Sequence, residues 1–272
     1  MKNTNKVFGI IVLVTIIGVS MIACNKSGGG GSSGGGGVGK TLNSPEELKA
    51  YLDKQPVNGP DKPIKVSMTI NDPMLKNVAD VIKSAGKYIS LNISGNALTT
   101  IPYEAFDECE TLVSITIPSS VTTTTIFDSC KNITVINVNS DNKNYSSDQG
   151  VLYNKDKTTL IRYPRKKVGT SFNIPNSVTT IGDFAFSYCT NLTSVTIPDS
   201  VTRIGEGTFG CESLTSVTFQ GTISSDNFGV KGWTQPFQGD LRSKYLAGGI
   251  GTYTTSTPVP ERYEWIPVWT KQ

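Results

Sequence analysis

The chain has 272 residues and a formal net charge of +3, and charged residues make up 17% of it, against about 25% in typical soluble domains. Ser, Thr, Asn and Gly supply much of the remaining polarity, and because β-branched Thr suits a pleated sheet, this composition favours a β-rich fold over a helical bundle. Histidine is absent, which excludes His-assisted nucleophilic catalysis and His metal ligands.

The amino terminus has the pattern of a signal peptide, which we assign to residues 1–23. Lys2 and Lys6 precede an apolar run, 7–22, that stops just before Cys24. At 1.5 Å per residue this run is shorter than the roughly 30 Å apolar core of a bilayer, so cleavage is favoured over a permanent transmembrane helix. Removal leaves 23 basic and 22 acidic residues, a balance that disfavours nucleic acid as a partner.

The sequence Met21-Ile22-Ala23-Cys24 resembles a bacterial lipobox, in which a small residue precedes a cysteine that becomes diacylated. Met21 and Ile22 depart from the usual Leu and small residue in a manner similar to spirochaete lipoproteins. The resemblance implies lipidation of Cys24 and export to the bacterial envelope, with the outer membrane and cell surface as the expected location. The alternative is a soluble export signal with an incidental cysteine. Residues 24–40 are rich in Gly and Ser, which predicts a flexible tether.

Residues 41–87 predict an amino-terminal cap with two helices and one strand. Residues 44–47, Ser-Pro-Glu-Glu, combine an N-cap, a proline in the first turn and a capping-box carboxylate. Residues 66–70 alternate as a strand. Asp72 and Pro73 begin a second helix, which Gly86 ends.

A repeat organises the centre of the chain. Residues 174–196 and 197–218 share the order Ile-Pro, Ser-Val-Thr, Ile-Gly, Phe, Cys, Leu and Val, with periods of 23 and 22 residues. Periods of 20 to 29 residues with spaced aliphatic residues are typical of leucine-rich repeats, whose units bury their apolar face only by stacking on neighbours. Equivalent aliphatic residues mark four copies: Leu98, Val121, Val178 and Val201.

The motif IPxSVTxIGxxAFxxCxxLxxV, in a region of about 88–220, resembles the BspA-like leucine-rich repeat family of bacterial surface proteins. We therefore predict an α/β leucine-rich repeat solenoid over 88–221, with a parallel β-sheet and short return helices or turns. Aliphatic residues of each strand point inward with a period of two. Three phenylalanines are predicted to fill the core opposite the sheet: Phe106, Phe186 and Phe209.

Two segments fall outside the regular repeat. Residues 151–163 predict a hairpin with its polar turn at 154–157, and this segment resembles an insertion common in the family. Residues 222–272, which contain Trp233, Trp265 and Trp269, are predicted to form an irregular carboxy-terminal cap.

Cys109, Cys130, Cys189 and Cys211 share one position of the repeat, which predicts four buried thiols in the core. Because export permits disulfides and coils stack about 4.8 Å apart, Cys109–Cys130 and Cys189–Cys211 pairing is the alternative. Neither a CxxC motif nor a histidine is present, so we expect no metal and no cofactor.

Candidate ligand-binding residues form a basic cluster beside the hairpin and an aromatic group in the tail. The cluster suits a sulfated glycan or an acidic protein surface, with a solvated run of charge as the alternative. The aromatic residues suit a partner anchor, with covering of the last coil as the alternative. The outward strand positions are small and mostly polar, so we expect a ligand to prefer these two groups over the sheet. The candidates are Arg162, Arg165, Lys166, Lys167, Trp265 and Trp269.

No nucleophile with a base and no convergent carboxylate pair is evident, so the sequence predicts a binding protein and no catalytic residue. The family resemblance implies an adhesin for extracellular matrix or other cell-surface proteins or glycans, held to the membrane through its lipid anchor. The alternative is a periplasmic structural or envelope-assembly lipoprotein with no host ligand.

Overall fold

A computed structural model describes residues 41–124, 130–229, 237, 239–256 and 267–272. All described residues belong to one compact unit. The predicted signal peptide, Cys24 and the predicted tether lie outside the described residues, as do Trp233 and Trp265. Within the described ranges, no helix has the length and apolar character needed to cross a membrane.

Two helices and a strand open the described part of the chain. They are α1 (Pro45–Asp53), β1 (Ile64–Thr69) and α2 (Asp72–Ala85). The Ser44 side chain accepts a hydrogen bond from the Glu47 N–H at 3.1 Å, and Gly86 ends α2 with a φ of 59°. The predicted start of the first helix and end of the second are therefore confirmed.

Each coil of the repeat contributes one strand to a parallel sheet. Inward side chains such as Val195 and Ile197 are buried and alternate with half-buried polar residues, which confirms the period of two. The coil strands are β2 (Ile89–Ser94), β4 (Leu112–Ile117), β6 (Val135–Val138), β10 (Ser171–Asn173), β12 (Ser194–Ile197) and β14 (Ser216–Phe219). The insertion interrupts the series, so that the first sheet has the order β1-β2-β4-β6 and the second begins with β10-β12-β14.

A second set of short parallel strands runs along the coils, which the sequence analysis did not predict. In this set, residues 180–181 of one coil pair with residues 203–204 of the next, and residues 100–101 pair with residues 123–124 in the same way. Where the structure describes them, the return limbs, the stretches that lead back to the sheet, are turns apart from a 3₁₀ helix at Tyr103–Phe106. These strands are β3 (Thr100–Ile101), β5 (Thr123–Thr124), β11 (Thr180–Ile181) and β13 (Arg203–Ile204).

Hydroxyl side chains link each coil to the one before it. Ser200 Oγ donates to the carbonyl of Val178 at 2.8 Å, and Thr193 Oγ1 donates to the carbonyl of Thr170 at 3.0 Å. The equivalent hydroxyls of other coils repeat the two contacts. The Ser200 hydroxyl satisfies a turn carbonyl that would otherwise depend on water, whereas the Thr193 hydroxyl adds a further bond to a carbonyl that already accepts from the Thr193 and Ser194 N–H groups. The high content of Ser and Thr is therefore part of the coil-to-coil contact.

The insertion forms three antiparallel strands, one more than predicted. They are β7 (Tyr145–Asp148), β8 (Val151–Asn154) and β9 (Thr159–Arg162). The predicted hairpin is confirmed, but its turn lies at 155–158 because Asn154 still pairs with Tyr145. The Asn154 side chain closes this turn by accepting from the Thr159 N–H at 2.9 Å. Strand β9 pairs in parallel with β11, giving a third sheet of order β13-β11-β9-β8-β7.

A stack of aromatic rings fills the core of the later coils. The rings of Phe186 and Phe209 stack 4.8 Å apart, and Phe209 stacks on Phe237 at 4.4 Å. Phe237 also bridges Phe209 through a parallel backbone contact, and Phe228 bridges Ile204 in the same way. The coil pattern therefore continues beyond residue 221, where we had placed its end.

The carboxy-terminal cap is more regular than predicted. It contains a 3₁₀ helix (Ser225–Asn227), α3 (Leu241–Gly248), β15 (Gly251–Thr254) and β16 (Thr270–Lys271). Strand β15 pairs antiparallel with β14, and β16 pairs antiparallel with β15. The reversal of direction completes the second sheet with strands that belong to no coil.

The four repeat cysteines are buried as free thiols, so the alternative of disulfide pairing is not seen in this structure. Cys211 Sγ donates to the carbonyl of Phe186 at 2.9 Å, and Cys130 Sγ donates to that of Phe106 at 3.5 Å. Burial raises the pKa of Cys109 to about 11. Burial also raises the pKa of Cys130 and Cys211, so these two thiols and Cys109 stay protonated near neutral pH. Cys130 and Cys211 serve as small donors between coils.

Replacement of Phe186 tests the importance of the aromatic stack. We expect Phe186→Ala to lower the free energy of unfolding by about 3–5 kcal/mol, because it opens a cavity between two neighbouring rings. Urea unfolding followed by circular dichroism measures the change. Val168→Ala is the matched control, since that side chain is 84% exposed and we expect it to cost less than about 0.5 kcal/mol. Equal midpoints for the two variants would contradict the role of the stack.

Candidate binding surfaces

The outward face of the second sheet carries two columns of small polar side chains. Register places Ser194 beside Ser216, and Thr196 beside Thr218. The column continues across the cap, where the hydroxyls of Thr218 and Thr252 lie 2.9 Å apart. The outward positions of these coil strands carry none of the large rings or guanidinium groups that dominate protein interfaces. The face is therefore a weak candidate, as the sequence predicted.

Arg162 does not belong to the exposed basic cluster, so its prediction as a ligand-binding residue is wrong. It is fully buried, and its guanidinium donates to the carbonyl of Phe184 at 2.6 Å and that of Ser187 at 3.3 Å. The period of two in β9 explains the placement, because Leu160 faces the core and Arg162 lies two residues later. Arg162 instead connects the insertion to the return limb of the next coil.

The other basic residues of the cluster lie half-buried at the surface. The Arg165 guanidinium lies 4.6 Å from the ring centre of Tyr188 and donates to its carbonyl at 3.4 Å. Lys167 donates through Nζ to the carbonyl of Gln149. Burial lowers the pKa of the Lys167 ammonium, and the nearby Asp148 carboxylate offsets this shift only in part. The cluster is thus a set of contacts that join the return limb to the insertion, with part of its charge still open to solvent.

Two exposed aromatic residues beside this cluster were missed from the sequence. Tyr188 is 51% and Phe184 is 36% exposed, and both have positive φ, 57° and 54°. Bulky residues rarely adopt this backbone region, and such positions often belong to functional surfaces. A signal was present, because the next coil has Gly207 at the position of Phe184, and Gly207 also has a positive φ of 53°.

The tail does not present Trp269 to a partner, so that prediction is also wrong. Trp269 is 2% exposed, and its backbone N–H donates to Asp240 Oδ1 at 2.8 Å. It packs in the same cluster of buried residues as Phe237 and Tyr253. The alternative, covering of the last coil, is therefore the one that the structure supports for Trp269. Trp265 lies outside the described residues.

A pocket of about 240 Å³ lies between the insertion and the first strand of the second sheet. Asp148, Gln149 and Tyr153 line one side, and the residues of β10 line the other. Asp148 pairs with Lys157 at 2.8 Å, so the charge at this edge is balanced. The pocket has no signature in the sequence, because its two sides come from separate segments that only the fold of the insertion brings together.

Comparison with known families identifies the repeat. The model of a family described as "BspA type Leucine rich repeat region (6 copies)" matches residues 81–166 and 165–229. The two matched segments span more than half of the chain. No curated protein sequence matches the chain.

Solved structures of bacterial leucine-rich repeat proteins are similar to parts of the chain. A leucine-rich repeat protein from Eubacterium ventriosum is 32% identical over 50% of this chain and 44% of that one, with a TM-score of 0.42. A leucine rich cell surface protein from Faecalibacterium prausnitzii is 34% identical over 51% and 38%, with a TM-score of 0.43. The pneumococcal vaccine antigen PcpA is 26% identical over 52% and 35%, with a TM-score of 0.44. The matches span less than half the length of each of these proteins.

Substitution of Arg162 separates its structural role from the predicted binding role. We expect Arg162→Met to lower the free energy of unfolding by about 1–3 kcal/mol, because two carbonyls at a buried site lose their charged donor. Lys166→Met is the matched control, since Lys166 is half-buried at the surface. Chemical denaturation of both variants provides the measurement. If Lys166→Met destabilises the protein as much as Arg162→Met does, the assigned role of Arg162 is wrong.

Proposed function

Because the chain belongs to the BspA-type leucine-rich repeat family, we propose that it is a lipid-anchored adhesin. It binds extracellular matrix or other cell-surface proteins or glycans, and it performs no catalysis. The repeat provides the scaffold, and surface residues of individual coils provide the specificity. This division of roles is the usual one for stacked repeats, whose neighbouring coils hold a surface in place.

The observation that carries the proposal is the Arg165–Tyr188 pair on the return limb. Arg and Tyr are enriched at the centres of protein interfaces, where they combine a large contact area with directed hydrogen bonds. The two side chains contact each other, and Tyr188 is held by a backbone hydrogen bond from its N–H to the carbonyl of Gly210 at 2.8 Å. A surface that is already ordered loses little conformational entropy on binding.

The charge of this surface favours an acidic ligand, such as a sulfated glycan or an acidic protein patch. Arg165 and Lys166 supply the positive charge, and Tyr188 and Phe184 supply the rings. Arg162 and Trp269 are withdrawn from the binding residues because both are buried. Trp265 remains a proposed contact.

Anchoring follows from the lipobox-like sequence that ends at Cys24. A diacylated Cys24 holds the protein to the envelope, and the Gly- and Ser-rich residues up to position 40 separate it from the repeats. With a random-coil dependence on length, this tether has a root-mean-square reach of about 20–25 Å. That reach leaves the repeat surfaces free of the lipid headgroups.

Protease treatment of intact cells tests the proposed location on the outer surface. We expect the repeats to be degraded while a periplasmic marker protein stays intact, because a surface protein is open to a protease that does not cross the envelope. Immunoblotting before and after lysis measures both proteins. Degradation only after lysis would instead support the periplasmic structural or assembly lipoprotein.

Binding of the full chain to immobilised matrix proteins and to an array of neutral and sulfated glycans tests the ligand class. We expect Arg165→Glu with Lys166→Glu to weaken binding by at least about tenfold and to reduce its salt dependence. Lys54→Glu with Lys62→Glu is the matched control, since it makes the same charge change at exposed residues of the amino-terminal cap. Equal losses for both pairs would show that overall charge, rather than this surface, governs binding.

A further inference from the structure

The insertion leaves two strand edges in the middle of the molecule, at β6 and β10. In a regular stack these two strands would pair with each other, as β4 pairs with β6 and β10 pairs with β12. Here each belongs to a different sheet. Unpaired strand edges are rows of N–H and C=O groups that attract other chains, and proteins normally close or cover them.

The edge of β6 is closed by the insertion. The N–H of Ile136 donates to the carbonyl of Gly150 at 2.9 Å, and the N–H of Val138 donates to Ser147 Oγ at 3.0 Å. Gly150 has a φ of 78°, and a Cβ at this residue would lie 3.1 Å from the Val135 side chain. Glycine therefore allows the turn between β7 and β8 to approach the strand closely.

The edge of β10 is not closed. Thr170 accepts from the Ser194 N–H at 3.0 Å, and Ile174 donates to the Thr196 carbonyl at 3.1 Å. Because partners in a parallel ladder alternate along the strand, the N–H and C=O groups of Ser171 and Asn173 point away from β12. Among the described residues, no hydrogen bond uses these four backbone groups.

The open edge faces the 240 Å³ pocket, whose opposite side contains Tyr153. Tyr153 is only 1% exposed as a whole residue, it lines the pocket, and within the described part of the chain its hydroxyl makes no hydrogen bond. Burial raises the pKa of this hydroxyl, so it remains a hydrogen-bond donor. A hydroxyl without a partner inside the protein can donate to a bound group without giving up an existing contact.

We propose that the edge of β10 binds an extended segment of a partner protein, which adds a strand to the second sheet and reaches the Tyr153 hydroxyl. This proposal rests on the proposed adhesive function and names one ligand class and one site for it. The backbone of a peptide repeats its N–H and C=O groups with the spacing that Ser171 and Asn173 present, and such strand addition is a general mode of peptide recognition.

The size and charge of the site favour a short stretch of peptide backbone. Its volume lies below the range of about 300–1,000 Å³ typical of pockets for drug-sized ligands. The Asp148–Lys157 pair balances the charge at its rim, so the site has no preference for a sulfate or phosphate group.

Substitutions at Ser171 test the use of the backbone. Ser171→Pro removes the N–H that faces the pocket, and proline is tolerated where a strand N–H has no partner in the sheet. Ser171→Ala is the matched control, because it removes the side chain and keeps the N–H. Tyr153→Phe removes only the hydroxyl, and Tyr51→Phe is its control at a half-buried ring of the amino-terminal cap.

The probe is a library of random 12-residue peptides, selected on the full chain in detergent. We expect the selected peptides to slow hydrogen exchange of the Ser171 and Asn173 amides. We expect Ser171→Pro and Tyr153→Phe each to weaken their binding by about three- to tenfold, the loss of one hydrogen bond. Ser171→Ala and Tyr51→Phe should bind within about twofold of the parent. Tyr153→Phe decides the outcome if Ser171→Pro does not fold.

Several results would overturn the proposal. They are the absence of enriched peptides, equal binding by the parent and both test variants, equal losses for Ser171→Ala and Ser171→Pro, and self-association that Ser171→Pro abolishes. A neutral glycan whose binding depends on Tyr153 would assign the pocket to a sugar and overturn it as well. Matrix binding that survives in Ser171→Pro and Tyr153→Phe would remove this site and leave the proposed adhesive function intact.

Discussion

The structure depends on the hydrogen bonds and apolar contacts between successive coils. An isolated coil would leave much of its apolar surface exposed, so its stability depends on the coils that pack on either side of it. Strand pairing supplies part of this contact, and the hydroxyls of residues such as Ser200 and Thr193 supply another part by donating to the preceding coil. Stacked rings at Phe186 and Phe209 continue it through the core.

The insertion interrupts the contact between coils at one place, and it supplies new partners to one of the two separated strands but not to the other. Strand β9 pairs with β11 and so extends the second set of short parallel strands. The Arg162 guanidinium links β9 to the next return limb by donating to two of its carbonyls. The turn that contains Gly150 completes β6. Among the described coil strands, only β10 keeps an open edge. The backbone N–H and C=O groups that are available to pair with another chain therefore lie where the insertion interrupts the repeat.

The surfaces proposed for binding are departures from the repeat. Tyr188 and Phe184 occupy left-handed positions on a return limb, one of which is glycine in the next coil, and Arg165 lies over the Tyr188 ring. The regular sheet face holds small hydroxyl residues, and the Thr218 hydroxyl contacts that of Thr252 where this face meets the cap. A scaffold of this kind keeps its stability in the repeated positions and can vary the others at small cost, since exposed substitutions rarely change stability by much.

The repeat, the cap helices, the hairpin and the buried cysteines could be predicted from the sequence alone, because each depends on the local spacing of apolar residues, turn residues and caps. The sequence did not reveal the burial of Arg162 and Trp269, although the alternation from Leu160 was a usable signal for Arg162. Only the tertiary structure decided which strand edge the insertion closes and which residues meet across the pocket. Tyr153, Ser171 and Asn173 all line that pocket, and the pairing of strands distant in sequence depends on the geometry of the whole coil rather than on any local pattern.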